Sequence, residues 1–353
     1  MSEYLESPPS FNFISFLVCL GNIIADIVTL DSEIRPQPRI YALLLGESAD
    51  TRKSTAANRA IEFFKSTITD FNVCFGVGSA EGLQTRLEKS PRLLLCFDEF
   101  KAFISKCRLD GSVLLPCTTS LFESNHYESQ TKNSKIELKN IFLSILAAST
   151  CETYESTWDR SFTDIGFSNR LFIVPGNAER KFAIPKVIPD SEKIYLGKKL
   201  SDVLRSANAN RILNITDEAR AIFNKWYLGT EKSIHSKRLD TYALRFMPLL
   251  AINEQKSKID VEIIEKIICL MNWQLQVRKL YAPFDADNKV AQLEERIRRN
   301  LTVRPLTERD LKKSIHYERY GLWLFNQARK NLQSSREIFF DKDNQKWTIA
   351  KQI

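Results

Sequence analysis

Residues that bind metals are scarce in this sequence. Three histidines lie far apart, and seven cysteines stand singly with none in a C-x-x-C pair. A zinc framework needs its ligands at short fixed spacings, so none is expected. The odd, scattered cysteines fit a reducing cytoplasm better than a disulfide scaffold. Cys96 and Cys269 sit inside apolar runs, as buried thiols do. An uninterrupted apolar span is also missing. The stretch FNFISFLVCLGNIIADIVTL (11–30) is broken by Asn22 and Asp26, and the residues before it are acidic. Those features argue against a membrane span and a signal peptide. It reads as a helix packed on the domain that follows. There is no internal repeat and no low-complexity stretch.

What is present is a neutral body with a basic end. The 353 residues suit two or three domains. The net charge is +8, and residues 289–353 hold 15 Lys and Arg against 8 Asp and Glu, so most of the excess sits there. Such an end suggests a module for a polyanion, with nucleic acid the first expectation.

Along the chain, short apolar runs alternate with helical patterns. RIYALLL follows Pro36 and Pro38 and reads as a buried strand. STAANRAIEFFKSTI has Ala57, Ile61, Phe64 and Ile68 at helical spacing. FNVCFG (71–76), RLLLCFDEF (92–100), IFLSILAAST (141–150) and RLFIVPG (170–176) read as further strands. SAEGLQTRLEKS, with Ser79 and Gly82 near its start, and VLLPCTTSLFES read as helices between them. This alternation predicts an α/β fold built on a doubly wound parallel sheet. Pro185 and Pro189 mark a linker, and the pattern from Ser191 to about Leu280 predicts an all-helical subdomain. In the tail, VAQLEERIRRN, TERDLKKSIHYE and YGLWLFNQARKNLQ read as three helices, followed by a hairpin around DKDNQ. Three helices and a hairpin are the outline of a winged helix. The expected divisions are an N-terminal helical segment (1–38), a core (39–185), a helical lid (186–285) and a basic winged-helix-like domain (286–353).

A local shortage of glycine marks the stretch that carries chemistry. YALLLGESADTRKST (41–55) has the layout of a phosphate-binding loop, G-x-x-x-x-G-K-[ST], between a strand and a helix. Lys53 comes one residue later after Gly46 than the pattern has it, and Arg52 stands where a glycine is usual. Ala49, Asp50 and Thr51 must therefore shape the turn with less backbone freedom. In such a loop, backbone N–H groups wrap the phosphates at a helix N-terminus, and the lysine adds positive charge. The following hydroxyl, here Ser54, binds Mg²⁺. Gly46, Thr51, Arg52, Lys53, Ser54 and Thr55 are the expected nucleotide contacts.

LLLCFDEF places Asp98 and Glu99 at the C-terminal end of a buried strand, where ligands bind in such sheets. Asp98 is expected to hold Mg²⁺ with Ser54, and Glu99 to orient and deprotonate the attacking water. Ser149, with Thr150 next to it, ends the following strand in position to stand beside the γ-phosphate and the water. Asn169 and Arg170 precede the fifth strand. Asn169 is a candidate nucleotide contact, and Arg170 a candidate arginine finger reaching a neighbouring subunit's site. Arg245, in TYALRFMPLL, is either a phosphate contact from the lid or a solvated helix arginine.

GESADTRKST, VGSAEGLQTRL, LLLCFDEF, LFES and GFSNRLFIV occur in this order. Together they resemble a family of P-loop ATPases, catalogued as a domain of unknown function, from primase-helicase-like proteins of phages, plasmids and integrated elements. The resemblance covers roughly residues 5 to 280. It implies a RecA/AAA+-like core of the additional-strand, catalytic-glutamate type, with ATP and Mg²⁺ as cofactors. It further implies that Lys53 and Ser54 take the phosphate-loop positions, Asp98 and Glu99 the acidic pair, and Arg170 the finger. The R-K-[SG]-T form of the loop is similar to variants in that family. The expected partners are DNA, further copies of the chain in a ring, and a separate primase, since no primase domain precedes the core; no membrane is expected. A motor on DNA is the first functional expectation. A nucleotide-gated switch and a DNA-binding regulator without nucleotide chemistry are the alternatives.

Overall fold

Most of the apolar runs become strands that are buried on both faces. In the computed structural model, which describes residues 4–47, 51–130, 135–157, 166–178, 181–281 and 289–350, the chain divides into two compact units, Met1–Leu275 and Gln276–Ile353.

The first unit opens with α1 (Pro9–Ile23), which starts at a proline and buries Phe11, Ile14, Leu17, Val18 and Leu20. Proline at the first helical turn loses nothing, since its missing N–H would have no helical partner there. After β1 (Thr29–Leu30) come β2 (Tyr41–Leu45), α2 (Lys53–Thr67), β3 (Val73–Phe75), α3 (Ala80–Lys89) and β4 (Arg92–Phe97). The Ser79 hydroxyl caps α3 by accepting from the N–H of Gly82 at 3.2 Å. Next are α4 (Phe100–Cys107), α5 (Leu114–Glu123), a hairpin of β5 (Tyr127–Gln130) and β6 (Lys135–Leu138), then β7 (Phe142–Ser149), α6 (Cys151–Thr157) and β8 (Phe172–Pro175).

Five strands form one parallel sheet in the order β3-β4-β7-β2-β8. β7 therefore stands between β2 and β4. Tyr41 pairs with Ile145 and Leu45 with Ser149 on one side of β2, and Ala42 pairs with Phe172 on the other. α1 and α2 pack on each other and on the sheet, and α4 packs on α5, α6, β4 and β7. This cover explains why β2 and β7 are buried almost throughout.

The alternation of strands and helices thus gives the expected α/β parallel core. β4 stops at Phe97, however, and the acidic pair lies just beyond it, because Phe100 already begins α4.

The segment from Ser191 is not all-helical. α7 (Asp190–Ala209) is followed by β9 (Ile212–Ile215), α8 (Asp217–Gly229), α9 (Leu239–Asn253), β10 (Lys258–Ile259) and α10 (Val261–Tyr281). β9 lies between β1 and β10 in a second small parallel sheet, pairing Leu30 with Leu213 and Ile215 with Ile259. The strands were hidden because two to four residues are too few to show a period of two. β5 and β6 were missed for the same reason. Cys269 is exposed rather than buried. On α10 it faces away from the stripe of Ile263, Ile264, Ile267 and Met271, which is fully buried.

The second unit carries α11 (Lys289–Val303), α12 (Glu308–Ser314), α13 (Leu322–Ser334) and an antiparallel hairpin of β11 (Ile338–Asp341) and β12 (Lys346–Ile349). Its core joins Leu293, Ile297 and Leu301 of α11 to Leu311, Phe325, Leu332, Ile338 and Trp347. Leu306 exchanges both backbone hydrogen bonds with Trp347, at 3.1 and 2.7 Å, and so adds a short third edge to the hairpin.

Candidate nucleotide site

Because the five strands are parallel, the ends of β2, β4 and β7 all reach the same edge of the sheet. That edge is where Lys53, Asp98, Glu99 and Ser149 gather. The chain leaves β2 at Leu45 and re-enters regular structure at Lys53, the first residue of α2. Gly46 is required there by a close approach: a Cβ on it would lie 2.5 Å from the Thr51 hydroxyl oxygen. Thr51 is buried, and its hydroxyl donates to Glu47 O at 2.9 Å, which folds the loop back on its own start. Arg52 takes the left-handed conformation, φ 52°, that a glycine would adopt without strain. Ala49 and Asp50 lie outside the described residues.

The Lys53 ammonium is half-buried inside this loop. It donates to Gly46 O at 3.0 Å, Glu47 O at 2.7 Å and the Thr51 hydroxyl at 3.2 Å. Burial pulls its pKa down, while the Cys151 thiol and the Glu99 and Asp98 carboxylates act in the opposite direction. Lys53 therefore faces the acidic pair across the sheet edge.

Arg52 points elsewhere. Its guanidinium donates to Glu6 Oε2 at 2.9 Å. The other Glu6 oxygen accepts from the N–H groups of Lys181 and Phe182, at 2.5 and 2.7 Å. Those two backbone bonds first, and Arg52 after them, hold the Glu6 carboxyl at a pKa of about 2.

The acidic pair is placed by aromatic anchors on both sides. Phe97 ends β4, Phe100 begins α4, and both are buried against Phe103, at 5.1 and 5.6 Å between ring centroids. Asp98 and Glu99, between these anchors, are left in solvent. The Ser54 hydroxyl donates to Asp98 Oδ1. Residues 44 positions apart thus meet across the width of β7. Two hard oxygen donors at one point suit a Mg²⁺ ion, which prefers oxygen ligands and keeps several waters. Thr55 is half-buried in the same first turn.

Ser149 reaches this edge, but its side chain is buried and donates to Thr150 O at 3.1 Å. Its own carbonyl accepts from Gly46 N at 3.3 Å, so it braces the start of the loop. Thr150 caps α6, accepting from Thr153 N at 3.0 Å.

Asn169 and Arg170 are not brought to this edge. They precede β8, and Arg170 lies in a short 3-10 turn (Ser168–Arg170) level with the beginning of β2. Four residues of strand, about 13 Å, separate that level from the loop. Arg170 is buried, donates to Gly166 O at 3.0 Å and pairs with Glu123 at 3.7 Å. Arg238 also pairs with Glu123. Within one chain Arg170 and Asn169 therefore cannot serve the site formed by Lys53.

Arg245 is neither a lid contact nor a solvated residue. It is buried, donates to Arg39 O at 2.9 Å and to Phe122 O, and stacks 3.9 Å from the Phe122 ring centroid. Nothing in the sequence distinguished it from an exposed helix arginine, since its partners lie more than a hundred residues away.

A cavity of about 320 Å³ opens beside Asp98 between α2 and the ends of β3 and β4. Larger cavities lie away from these residues, among them one of about 490 Å³ between α2 and α7 and one of about 760 Å³ along residues 226–240. His126, Glu128 and Glu137 offer one exposed donor cluster on the β5–β6 hairpin, but Glu128 and Glu137 already pair with Lys135 and Lys139. Cys151 and Glu6 are the two residues at the loop that sequence reasoning missed. Cys151 had a signal, since it lies two residues beyond the end of β7; Glu6 had none. No helix among the described residues is long and apolar enough to cross a membrane. No protein-family model matches the chain, and no curated protein matches it.

Proposed function

We propose that the chain binds and hydrolyses ATP with Mg²⁺ and couples this to DNA, as a helicase-like ATPase in the replication or maintenance of a phage or mobile element. The observation that carries the reading is the meeting of Ser54 with Asp98 at the sheet edge where Lys53 and Glu99 also lie. The position of β7 between β2 and β4 supports it, since a core of the additional-strand type has a strand there.

Ser54 and Asp98 would hold the ion, which draws charge from the phosphate oxygens when bound. The loop N–H groups and Lys53 would hold the phosphates. An anion offers Lys53 stronger partners than the carbonyls of Gly46 and Glu47. Glu99, exposed at the start of α4, would orient the attacking water and take its proton. Arg170 would serve the site of a neighbouring copy in a ring, exchanging Gly166 O and Glu123 for that copy's phosphate. The unit from Gln276 onward would act as the winged-helix-like DNA module.

The self-contained bonding of Lys53, Arg52 and Arg170 favours a second reading, a nucleotide-gated switch that binds ATP and DNA without translocating. ATP hydrolysis with and without single- and double-stranded DNA separates the two. A motor gives DNA-stimulated turnover, with Lys53→Ala losing ATP binding. Glu99→Gln keeps binding and loses about 10²- to 10⁴-fold in rate. Tight ATP binding with no turnover in the unaltered protein leaves the switch, and no ATP binding sinks both.

A further inference from the structure

The second unit builds its core without one of its largest apolar side chains. On α13, Phe325, Ala328 and Leu332 are buried. Trp323 lies on the opposite face and is 72% exposed, with Leu322 beside it at 51%. Helical geometry puts Gln327 and Lys330, four and seven positions on, along the same face as Trp323. Gly321, with φ 85°, turns the chain sharply into this helix and leaves Trp323 in its first turn.

An exposed tryptophan does nothing for folding, and its flat ring is a strong partner for another π-face. The unit that carries it is basic, with 15 Lys and Arg against 8 Asp and Glu in residues 289–353. The acids Glu295, Glu308 and Glu337 are already paired within the unit, with Arg299, Arg329 and Arg298. Arg309, Lys313 and Lys330 are exposed. Residues 289–353 thus carry an excess of seven positive charges, and the same unit shows a bare aromatic ring to solvent at Trp323.

We propose that Trp323 stacks on an unpaired base, so that this unit prefers single-stranded nucleic acid to duplex. This rests on the DNA-associated reading above and narrows its substrate. Positive charge attracts either form through phosphate. Only a strand with unstacked bases offers a face to Trp323, because paired bases are covered by their neighbours. Base stacking on one aromatic residue is worth about tenfold or more in affinity.

The full chain is titrated with a fluorescein-labelled 20-nucleotide oligo(dT) and with a blunt duplex of the same length. The unaltered protein is expected to bind the single strand more tightly. Trp323→Ala should weaken that binding about tenfold or more and change duplex binding less than about twofold, and Trp323→Phe should restore most of it. An intact thermal unfolding curve for Trp323→Ala assures that the fold is unchanged. Equal binding of both probes, indifferent to Trp323→Ala, overturns this inference and leaves the DNA-associated reading standing. Binding of neither probe overturns both.

Discussion

At the C-terminal edge of the sheet, the Lys53 ammonium rests on the carbonyls of Gly46 and Glu47; at the N-terminal edge, the Arg245 guanidinium rests on those of Arg39 and Phe122. Each cation is held by main-chain oxygens, yet the two differ in what can replace those oxygens. Lys53 is half-buried and faces Asp98 and Glu99 at the solvent edge, so an anion can enter and take it over. Arg245 is sealed beneath Phe122. Arg39 beside it is equally buried and donates to Ile141 O at 3.1 Å and Ser124 O at 2.9 Å. These two arginines tie together the lead-ins to β2 and β7 and the end of α5. The same hydrogen-bond chemistry makes an exchangeable site at one edge and a fixed joint at the other, and access to solvent is what separates them.

The sharpest way to break this comparison is to truncate both cations. Arg245→Ala orphans two buried carbonyls and empties the space against Phe122, so it should cost about 3 kcal/mol or more in urea unfolding. Lys53→Ala removes a group whose loop partners can turn to water, and should stay within about 0.5 kcal/mol while ATP binding is lost. A large stability loss from Lys53→Ala would mean that the loop edge is as structural as the arginine edge.

A smaller effect is expected at Glu6, a fixed charge beside the exchangeable loop. Its folded pKa of about 2 lies below the ordinary value of 4.5, so its contribution is complete above 4.5 and is lost as pH falls toward 2. Glu6→Gln removes that pH dependence, so the variant's stability should fall less steeply than that of the unaltered protein between pH 4.5 and 2. Parallel stability profiles in that window would show that the Glu6 carboxyl does not hold the N-terminal segment to the loop and to Lys181.

The two edges were not equally legible in the sequence. The loop edge could be read because its parts sit at the ends of strands that announce themselves: LLL before Gly46, LLLCF before Asp98, ILAA before Ser149. Alternation of strand and helix then placed those ends together. The arginine edge could not be read. Arg39, Arg170 and Arg245 look like surface residues until Phe122, Tyr41 and Tyr242 are folded around them, and no local pattern encodes contacts spanning 72 to 206 residues. Glu6 failed for the same reason, its backbone partners lying 175 and 176 residues away. The β1-β9-β10 sheet failed for a different one, since strands of two to four residues carry too little pattern.

The finest test of the comparison is Tyr242→Phe. The Tyr242 hydroxyl lies 2.6 Å from Arg170 O and 3.0 Å from Tyr41 O, and it shares one proton between the lead-in to β8 and the first residue of β2. Its ring sits 5.3 Å from Phe172 and 5.7 Å from Phe122, centroid to centroid, and phenylalanine keeps that packing. The substitution therefore removes only the hydroxyl, for a loss of about 1 kcal/mol in unfolding free energy. Four residues of strand separate this bond from Lys53, so ATP affinity should be unchanged. If ATP affinity falls together with stability, strain at the arginine edge is transmitted along β2 to the loop. The two ends of the sheet would then be one coupled device, through which the surroundings of Arg170 could be felt at Lys53.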